Sequence, residues 1–221
     1  LLGCKRPAVN ETQGGGGPAW FEDVTEKLGL DFTHDAGAID GKYFMPQSVG
    51  SGAAFLDLEG DGRLAVYLVH NGGPSGKKNQ LFRQRPGGTF EDASAGSGLD
   101  VAGFGMGVAV ADVNNDGLAD VYVSEYGGGR LFLNQGKGKF AEARDCGLAA
   151  QRWGTAVSFL DYDRDGWLDL VVVNYVDVDP THVCSRGGTP DYCQPEIFKG
   201  CITRLYRNRG RDKSGKWLGF E

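Results

Sequence analysis

An all-β fold built from repeated four-stranded units is predicted for this chain by three observations. A short acidic loop occurs three times, as Asp57-Leu-Glu59-Gly-Asp61-Gly62, Asp112-Val-Asn114-Asn-Asp116-Gly117 and Asp161-Tyr-Asp163-Arg-Asp165-Gly166. The copies start 55 and then 49 residues apart. Stretches rich in Val, Tyr and Leu flank each copy, and the chain carries 37 glycines among its 221 residues. That is the pattern of many short strands joined by tight turns, not of amphipathic helices.

The elements of one unit follow in order. Before each loop runs a glycine-punctuated apolar strand: Val49 to Leu56, Phe104 to Ala111 and Trp153 to Leu160. After it comes a second strand: Ala65 to Val69, Asp120 to Ser124 and Leu168 to Val173. A third reads Gln80-Leu-Phe-Arg83, Arg130-Leu-Phe-Leu133 and Arg204-Leu-Tyr-Arg207. A fourth reads Thr89-Phe-Glu-Asp92 and Lys139-Phe-Ala-Glu142, and is begun at Trp217-Leu-Gly-Phe-Glu221. Four short antiparallel strands at a period near 50 residues are the signature of a β-propeller blade. The expected blades cover about 47–94, 102–145 and 151–221 within a partial propeller of 19–221. Trp20-Phe-Glu-Asp-Val-Thr25 repeats the fourth-strand pattern without three strands before it. It is expected to be an orphan strand that completes a blade beyond residue 221, the chain being the N-terminal part of a longer ring.

The loops have the chemistry of a calcium site. Oxygen side chains at positions 1, 3 and 5 with glycine at 6 wrap hard ligands around Ca²⁺. An EF-hand also needs Glu at position 12 and flanking helices. Position 12 here is Leu68, Val123 and Val172, and the flanks are strands. The shell must therefore close at position 9, which is Asp120 in copy two, Asp169 in copy three and Ala65 in copy one. Position 7 adds a main-chain carbonyl from Arg63, Leu118 or Trp167. The expected ligands are Asp57, Glu59, Asp61 and Arg63; Asp112, Asn114, Asp116, Leu118 and Asp120; and Asp161, Asp163, Asp165, Trp167 and Asp169. Two sites should be strong and the first weak. Mg²⁺ is disfavoured because it keeps most of its water in a tight octahedron. The bland alternative is an acidic turn without metal.

Bulk composition agrees. The formal net charge of −6 and the lack of a basic stripe exclude a nucleic-acid partner. Three bound Ca²⁺ ions would cancel that charge, so much of the acidity reads as ligand charge. No apolar run approaches the length of a membrane span. The chain opens Leu1-Leu2-Gly3-Cys4, followed by a polar stretch with Gly14 to Gly17. This looks like a lipobox and a flexible tether over residues 1–18, with Cys4 as the lipidated residue and a lipid anchor as the expected membrane link. Asn10-Glu-Thr12 is formally a glycosylation sequon.

As a set these motifs resemble the FG-GAP/VCBS repeats of integrin-α-like propellers, and most of all the cartilage-acidic-protein-like family, common among bacterial secreted proteins. Phe104-Gly-Met-Gly-Val-Ala carries the start of the repeat. Phe90-Glu-Asp-Ala-Ser-Ala-Gly-Ser-Gly-Leu99, Leu205-Tyr-Arg-Asn208 and Asp191-Tyr-Cys193 carry the closer likeness. The resemblance covers about residues 20–221. It implies a seven-bladed ring whose loop aspartates bind Ca²⁺. Ala65 and Glu59 depart from the family pattern, which weakens the first site.

Cys184, Cys193 and Cys201 lie in an insertion of roughly 176–202, between the second and third strands of the third unit, and allow three pairings. The resemblance implies Cys184–Cys193. Zinc is disfavoured, since His182 is the one nearby histidine and no Cys-x-x-Cys occurs. Cys146 reads as a small buried residue. The function expected is a secreted or outer-surface, non-catalytic scaffold for an extracellular protein or glycan. The resemblance to integrin-like propellers implies a binding face on the side opposite the acidic loops, with Arg152, Trp153 and Tyr192 as contact candidates, although a propeller Trp is more often core. The alternatives are a propeller-based polysaccharide lyase or hydrolase and a structural spacer. The enzyme lacks a visible nucleophile motif, and His34, His70 and His182 stand at unrelated repeat positions.

Overall fold

The computed structural model describes residues 20–38, 41–148 and 152–221. Its first element is one turn of helix, α1 (Thr25–Leu28), ended by Gly29 in the left-handed conformation. Thirteen short strands follow. β1 (Ala53–Asp57), β2 (Leu64–Leu68), β3 (Gln80–Gln84) and β4 (Phe90–Asp92) form one antiparallel sheet in that order. β5 (Gly105–Ala111), β6 (Asp120–Glu125), β7 (Arg130–Asn134) and β8 (Phe140–Glu142) form a second with the same order. In the third, β9 (Gly154–Leu160) pairs with β10 (Asp169–Asn174), and β10 pairs with β13 (Arg204–Tyr206). The expected fourth strand of that sheet is present as isolated bridges, Asn208 to Phe220 and Arg211 to Trp217. Between β10 and β13 lies the insertion, with a hairpin of β11 (Cys184–Arg186) and β12 (Thr189–Asp191) and a 3₁₀ turn at Pro195–Ile197.

Register repeats from sheet to sheet. Leu56 pairs with Ala65, Ala111 with Asp120, and Leu160 with Asp169. The residue just before each acidic loop therefore always faces position 9 of that loop. A register slip of one residue would turn every apolar side chain to the opposite face, so the buried pattern fixes this pairing.

The first strands of the three sheets lie against one another, and glycine makes this possible. A Cβ on Gly52 would stand 2.9 Å from Met106 O and 3.0 Å from Val108 N. One on Gly107 would stand 3.1 Å from Thr155 O and 3.2 Å from Ala156 Cα. The backbones approach at those points as closely as only a residue without a side chain allows.

Three apolar layers hold the sheets. Leu56, Tyr67, Leu81, Val121, Val123 and Phe132 pack between the first and second sheets. Tyr122, Leu131, Leu170, Val172, Tyr206 and Phe220 pack between the second and third. β6 is buried along its whole length because alternate residues serve each layer. A third cluster joins Met45, Met106, Trp153, Val176 and Val178 at the end away from the acidic loops. The outer faces of the first and third sheets leave Phe55 and Leu205 exposed.

The segment expected to pair with strands beyond residue 221 is unpaired among the described residues. Residues 20–24 form no ladder, and Trp20 and Phe21 are 94% and 93% exposed. A strand needs a partner edge to satisfy its backbone, and none of the described sheets offers one there. Cys4, the Gly14–Gly17 stretch and the sequon at Asn10 lie outside the described residues. No helix among the described residues is long and apolar enough to cross a membrane.

Candidate functional site

The three acidic loops connect β1 to β2, β5 to β6 and β9 to β10, at one end of the sheets. Each is wound by its own side chains. The position 1 carboxylate accepts two backbone N–H groups across the turn. Asp112 takes Asp116 (3.0 Å) and Gly117 (2.8 Å), and Asp161 takes Asp165 (3.1 Å) and Gly166 (3.0 Å). Asp57 does the same with Asp61 (3.2 Å) and Gly62 (2.9 Å), and accepts from Gly60 as well (2.8 Å). Hydrogen bonds led by that from Gly62 hold the Asp57 carboxyl below the usual range, because they favour the charged form. The position 5 carboxylate accepts the N–H of position 7: Asp61 from Arg63, Asp116 from Leu118 and Asp165 from Trp167, at 2.9–3.0 Å. The glycines at position 6 have φ of +82°, +89° and +86°, which only glycine adopts without strain. Position 4 is left-handed too, at Gly60, Asn115 and Arg164.

Position 9 separates the copies. Asp120 is fully buried and accepts from Val113 N–H (3.0 Å) and Asn134 N–H (2.8 Å). Asp169, equally buried, accepts from Tyr162 N–H (3.1 Å) and Asn208 N–H (2.7 Å). Each aspartate thus ties position 2 of its loop to the end of the third strand. Burial pushes the Asp120 carboxyl up to about 7, with Asp116 and Asp112 adding to the rise against the two N–H donors. A cation here would relieve that strain by pairing with the carboxylate form. In the first loop Ala65 makes none of these bonds, and Gln84 stands where the others have asparagine.

Sequence reading assigned those asparagines no part in the loops, although Asn208 stands in one of the stretches that carry the family resemblance. Asn134 Nδ2 donates to Ala119 O (3.1 Å), and its Oδ1 accepts Gly136 N–H (2.8 Å). Asn208 Nδ2 donates to Leu168 O (3.0 Å) and, across to the second loop, to Val113 O (2.7 Å). Its Oδ1 accepts Gly210 N–H and Trp217 Nε1–H, both at 3.0 Å. Asn115 Nδ2 also donates to Gly166 O at 3.1 Å, so the second and third loops share one edge of the molecule. The signal available in the sequence was the covariation of Asp at position 9 with Asn at the end of the third strand.

Charge is balanced differently in each loop. Arg207 donates to Asp163 (2.8 Å) and Asp165 (3.3 Å), which raises its own pKa, Asp163 acting most. Arg83, at the same place in the first sheet, pairs with Glu59 at 3.3 Å, and Arg63 pairs with Asp61. The second sheet has Leu133 at that place and a neutral Asn114 at position 3. Asn114 Nδ2 donates to Asp116 Oδ2 at 2.9 Å.

Oxygens that share one Ca²⁺ at about 2.4 Å lie no more than about 4.8 Å apart. Asp161, Asp163 and Asp169 offer oxygens that all lie within 4.8 Å of one another. The third loop therefore presents a carboxylate cluster able to hold a metal ion. His182, Cys184 and Cys193 also converge, but Cys184 and Cys193 are disulfide-bonded and offer no thiolate. Cys146 is buried, and its thiol donates to Ala143 O.

At the opposite end, one expected contact residue is not on the surface. Trp153 is 0% exposed and packs edge-on against Tyr126 and Tyr175. It occupies the repeat position of Phe104, which begins the first strand of the second unit, and the same core takes both rings. Arg152 is exposed and paired with Asp177, and Tyr192 is half-buried against Tyr43. The histidines are also less scattered than their repeat positions imply. His34 and His70 stack with ring centroids 5.8 Å apart, and Phe32 lies 4.5 Å from His70.

The sequence matches the family described as FG-GAP-like repeat over residues 57–123 and again over 112–172. The chain belongs to the FG-GAP-like repeat family. Each match runs from position 1 of one acidic loop to position 12 of the next, so the loop and its two strands are the repeating unit. Cartilage acidic protein 1 from Xenopus tropicalis is 30% identical over 132 residues, covering 57% of this chain and 20% of that protein. The mouse protein of that name is 27% identical over 137 residues, covering 57% of this chain and 21% of its own length. The human protein is 26% identical over 137 residues with the same coverage. The chain thus spans about a fifth of the length of these relatives.

Proposed function

We propose that this chain is a calcium-stabilised, non-catalytic scaffold, part of an extracellular or cell-surface β-propeller that presents a binding face to a protein or glycan. The observation that carries the reading is the convergence of Asp161, Asp163 and Asp169 within a repeated loop, each oxygen within 4.8 Å of the others. In the third site the ligands would be Asp161, Asp163, Asp165 and Asp169 with the Trp167 carbonyl. In the second they would be Asp112, Asn114, Asp116 and Asp120 with the Leu118 carbonyl. The first would use Asp57, Glu59 and Asp61 with the Arg63 carbonyl, lacks a carboxylate at position 9, and would be the weakest.

Bound calcium would supply positive charge to carboxylates that otherwise repel one another. The protein's own part is to pre-wind the loops. Backbone N–H groups aim the position 1 and 5 carboxylates, and Asp120 and Asp169 are anchored to the ends of β7 and β13. A scaffold reading also accounts for the histidines, which serve the fold. His34 Nε2 bonds to Asn71 Oδ1 (3.0 Å), and His70 Nδ1 accepts Asp35 N–H (2.9 Å). The Cys184–Cys193 disulfide supports an oxidising, extracellular setting.

The test is thermal unfolding with excess Ca²⁺ and with EGTA, in the natural chain and in an Asp161→Asn/Asp163→Asn variant. Calcium should raise the midpoint of the natural chain and raise that of the variant less. Equal midpoints with and without calcium in the natural chain would reduce the loops to acidic turns.

A further inference from the structure

The second and third acidic loops are joined by hydrogen bonds that run from one set of expected ligands to the other. The first path links the two position 9 carboxylates through three bonds. Asp169 Oδ1 accepts the Asn208 N–H (2.7 Å), Asn208 Nδ2 donates to Val113 O (2.7 Å), and the Val113 N–H donates to Asp120 Oδ2 (3.0 Å). All four residues are at most 1% exposed, so water does not compete for these bonds. The second path runs along the surface. Asn115, at position 4 of the second loop, donates from Nδ2 to Gly166 O at position 6 of the third (3.1 Å). The Gly166 N–H in turn donates to Asp161 Oδ2, at position 1 (3.0 Å). Arg211, from the segment after β13, donates to Asn114 O (2.8 Å) and Asn115 O (3.3 Å). The third unit thus holds the second loop at positions 2, 3 and 4.

The first loop lacks such links. Among the described residues no hydrogen bond joins it to the second loop. Asn134, which matches Asn208 in the second sheet, turns both side-chain groups to its own sheet, at Ala119 O and Gly136 N–H. The molecule therefore contains one linked pair of neighbouring loops and one unlinked pair.

Ordering is shared across the linked pair. With the third loop loaded, Asp161 and Asp169 are held as ligands, and the Gly166 carbonyl and Asn208 are held with them. Those two groups keep positions 4 and 2 of the second loop in the wound form that its own carboxylates need. The second loop then binds with part of its ordering cost already met, and the reverse effect is equal by thermodynamic linkage. Repulsion between two bound ions opposes this, but it acts between the first and second loops as well, where the bonds are missing.

We propose that Asn208 and Asn115 couple the second and third calcium sites, so that these two fill together while the first fills alone. The assignment rests on the calcium reading and adds to it how the sites act on one another.

The experiment is a calcium titration of the ¹⁵N-labelled, chelator-stripped chain followed by NMR. The amides of Gly62, Gly117 and Gly166 report on the first, second and third loops, since each donates to the position 1 carboxylate of its own loop. Asp161→Asn/Asp163→Asn disables the third site, and Asp57→Asn/Asp61→Asn removes the same two charges from the first loop. Loss of the third site should raise the calcium concentration at the Gly117 midpoint at least fivefold, the low end of coupling between sites. Loss of the first should change it less than twofold. Asp112→Asn/Asp116→Asn should shift the Gly166 midpoint by the same factor. Asn115→Gly, at an exposed position whose φ of +55° glycine adopts freely, should at least halve the coupling factor. A Gly117 midpoint indifferent to the third loop, or equally sensitive to the first, would overturn the coupling and leave calcium binding intact. So would a factor unchanged in Asn115→Gly. Loop amides that calcium does not move at all would remove the calcium reading itself, and the coupling with it.

Discussion

Replacing Asn208 by alanine should be among the most damaging polar substitutions in this chain, and the structure sets its size against an internal control. The Asn208 side chain is buried and makes four hydrogen bonds, two from Nδ2 to Val113 O and Leu168 O and two to Oδ1 from Gly210 N–H and Trp217 Nε1–H. Asn134 holds the same place in the second sheet and makes two, with Ala119 O and Gly136 N–H. At about 1 kcal/mol for each buried bond, Asn208→Ala should cost about 4 kcal/mol and Asn134→Ala about 2 kcal/mol. For a chain of this size the larger loss lowers the melting midpoint by roughly 10 °C. The assay is urea unfolding of both variants at fixed calcium concentration and again in EGTA. The difference between the variants reflects the bonds of Asn208 to Val113 and Trp217, which join the third unit to its neighbour and to its own last segment. Equal costs for the two substitutions would refute the reasoning, since each asparagine closes its own loop in the same way.

Three further outcomes follow from the same geometry. Arg207→Leu removes a guanidinium from Asp163 and Asp165 and should tighten calcium at the third loop about three- to fivefold, the scale of an exposed ion pair; calorimetry showing weaker binding would assign Arg207 a supporting role instead. Ala65→Asp combined with Gln84→Asn should convert the first loop into a third strong site, because Ala65 faces Leu56 in the same register that places Asp120 opposite Ala111 and Asp169 opposite Leu160. An unchanged number of strong sites in calorimetry would count against position 9 as the deciding ligand. Trp153→Ala should cost about 3–5 kcal/mol in urea unfolding, as expected of a buried aromatic residue, whereas a cost below about 1 kcal/mol would place the ring outside the core.

Much of the strand order was legible because the signal is local. Alternating apolar residues, a loop of fixed spacing and a glycine at each turn repeat with only small drift, and eleven of the thirteen strands overlap stretches read as strands, within a residue or a few at their ends. What stayed hidden depends on partners distant in sequence. Asn208 reaches Val113 across 95 residues, and no spacing rule joins them. His34 and His70 meet because Asp35 clamps one segment onto another, which single-residue periodicity does not encode. Trp153, a contact candidate for which core was the commoner reading, is core, and the repeat shows why. It precedes a strand at a loop, where a tryptophan can serve as a contact, but its repeat position equals that of Phe104, and the repeat is the stronger guide. The segment from Trp20 matches a fourth strand in sequence, yet a strand forms only against an edge that can pair with it.

The account stands most directly on a calcium titration by isothermal calorimetry of chelator-stripped chain, with circular dichroism recorded in parallel. It predicts two strong sites, at the second and third loops, one weaker site at the first, and β-structure that melts later once calcium is bound. A folded chain that takes up no calcium, or three sites of equal strength despite Ala65, would contradict it.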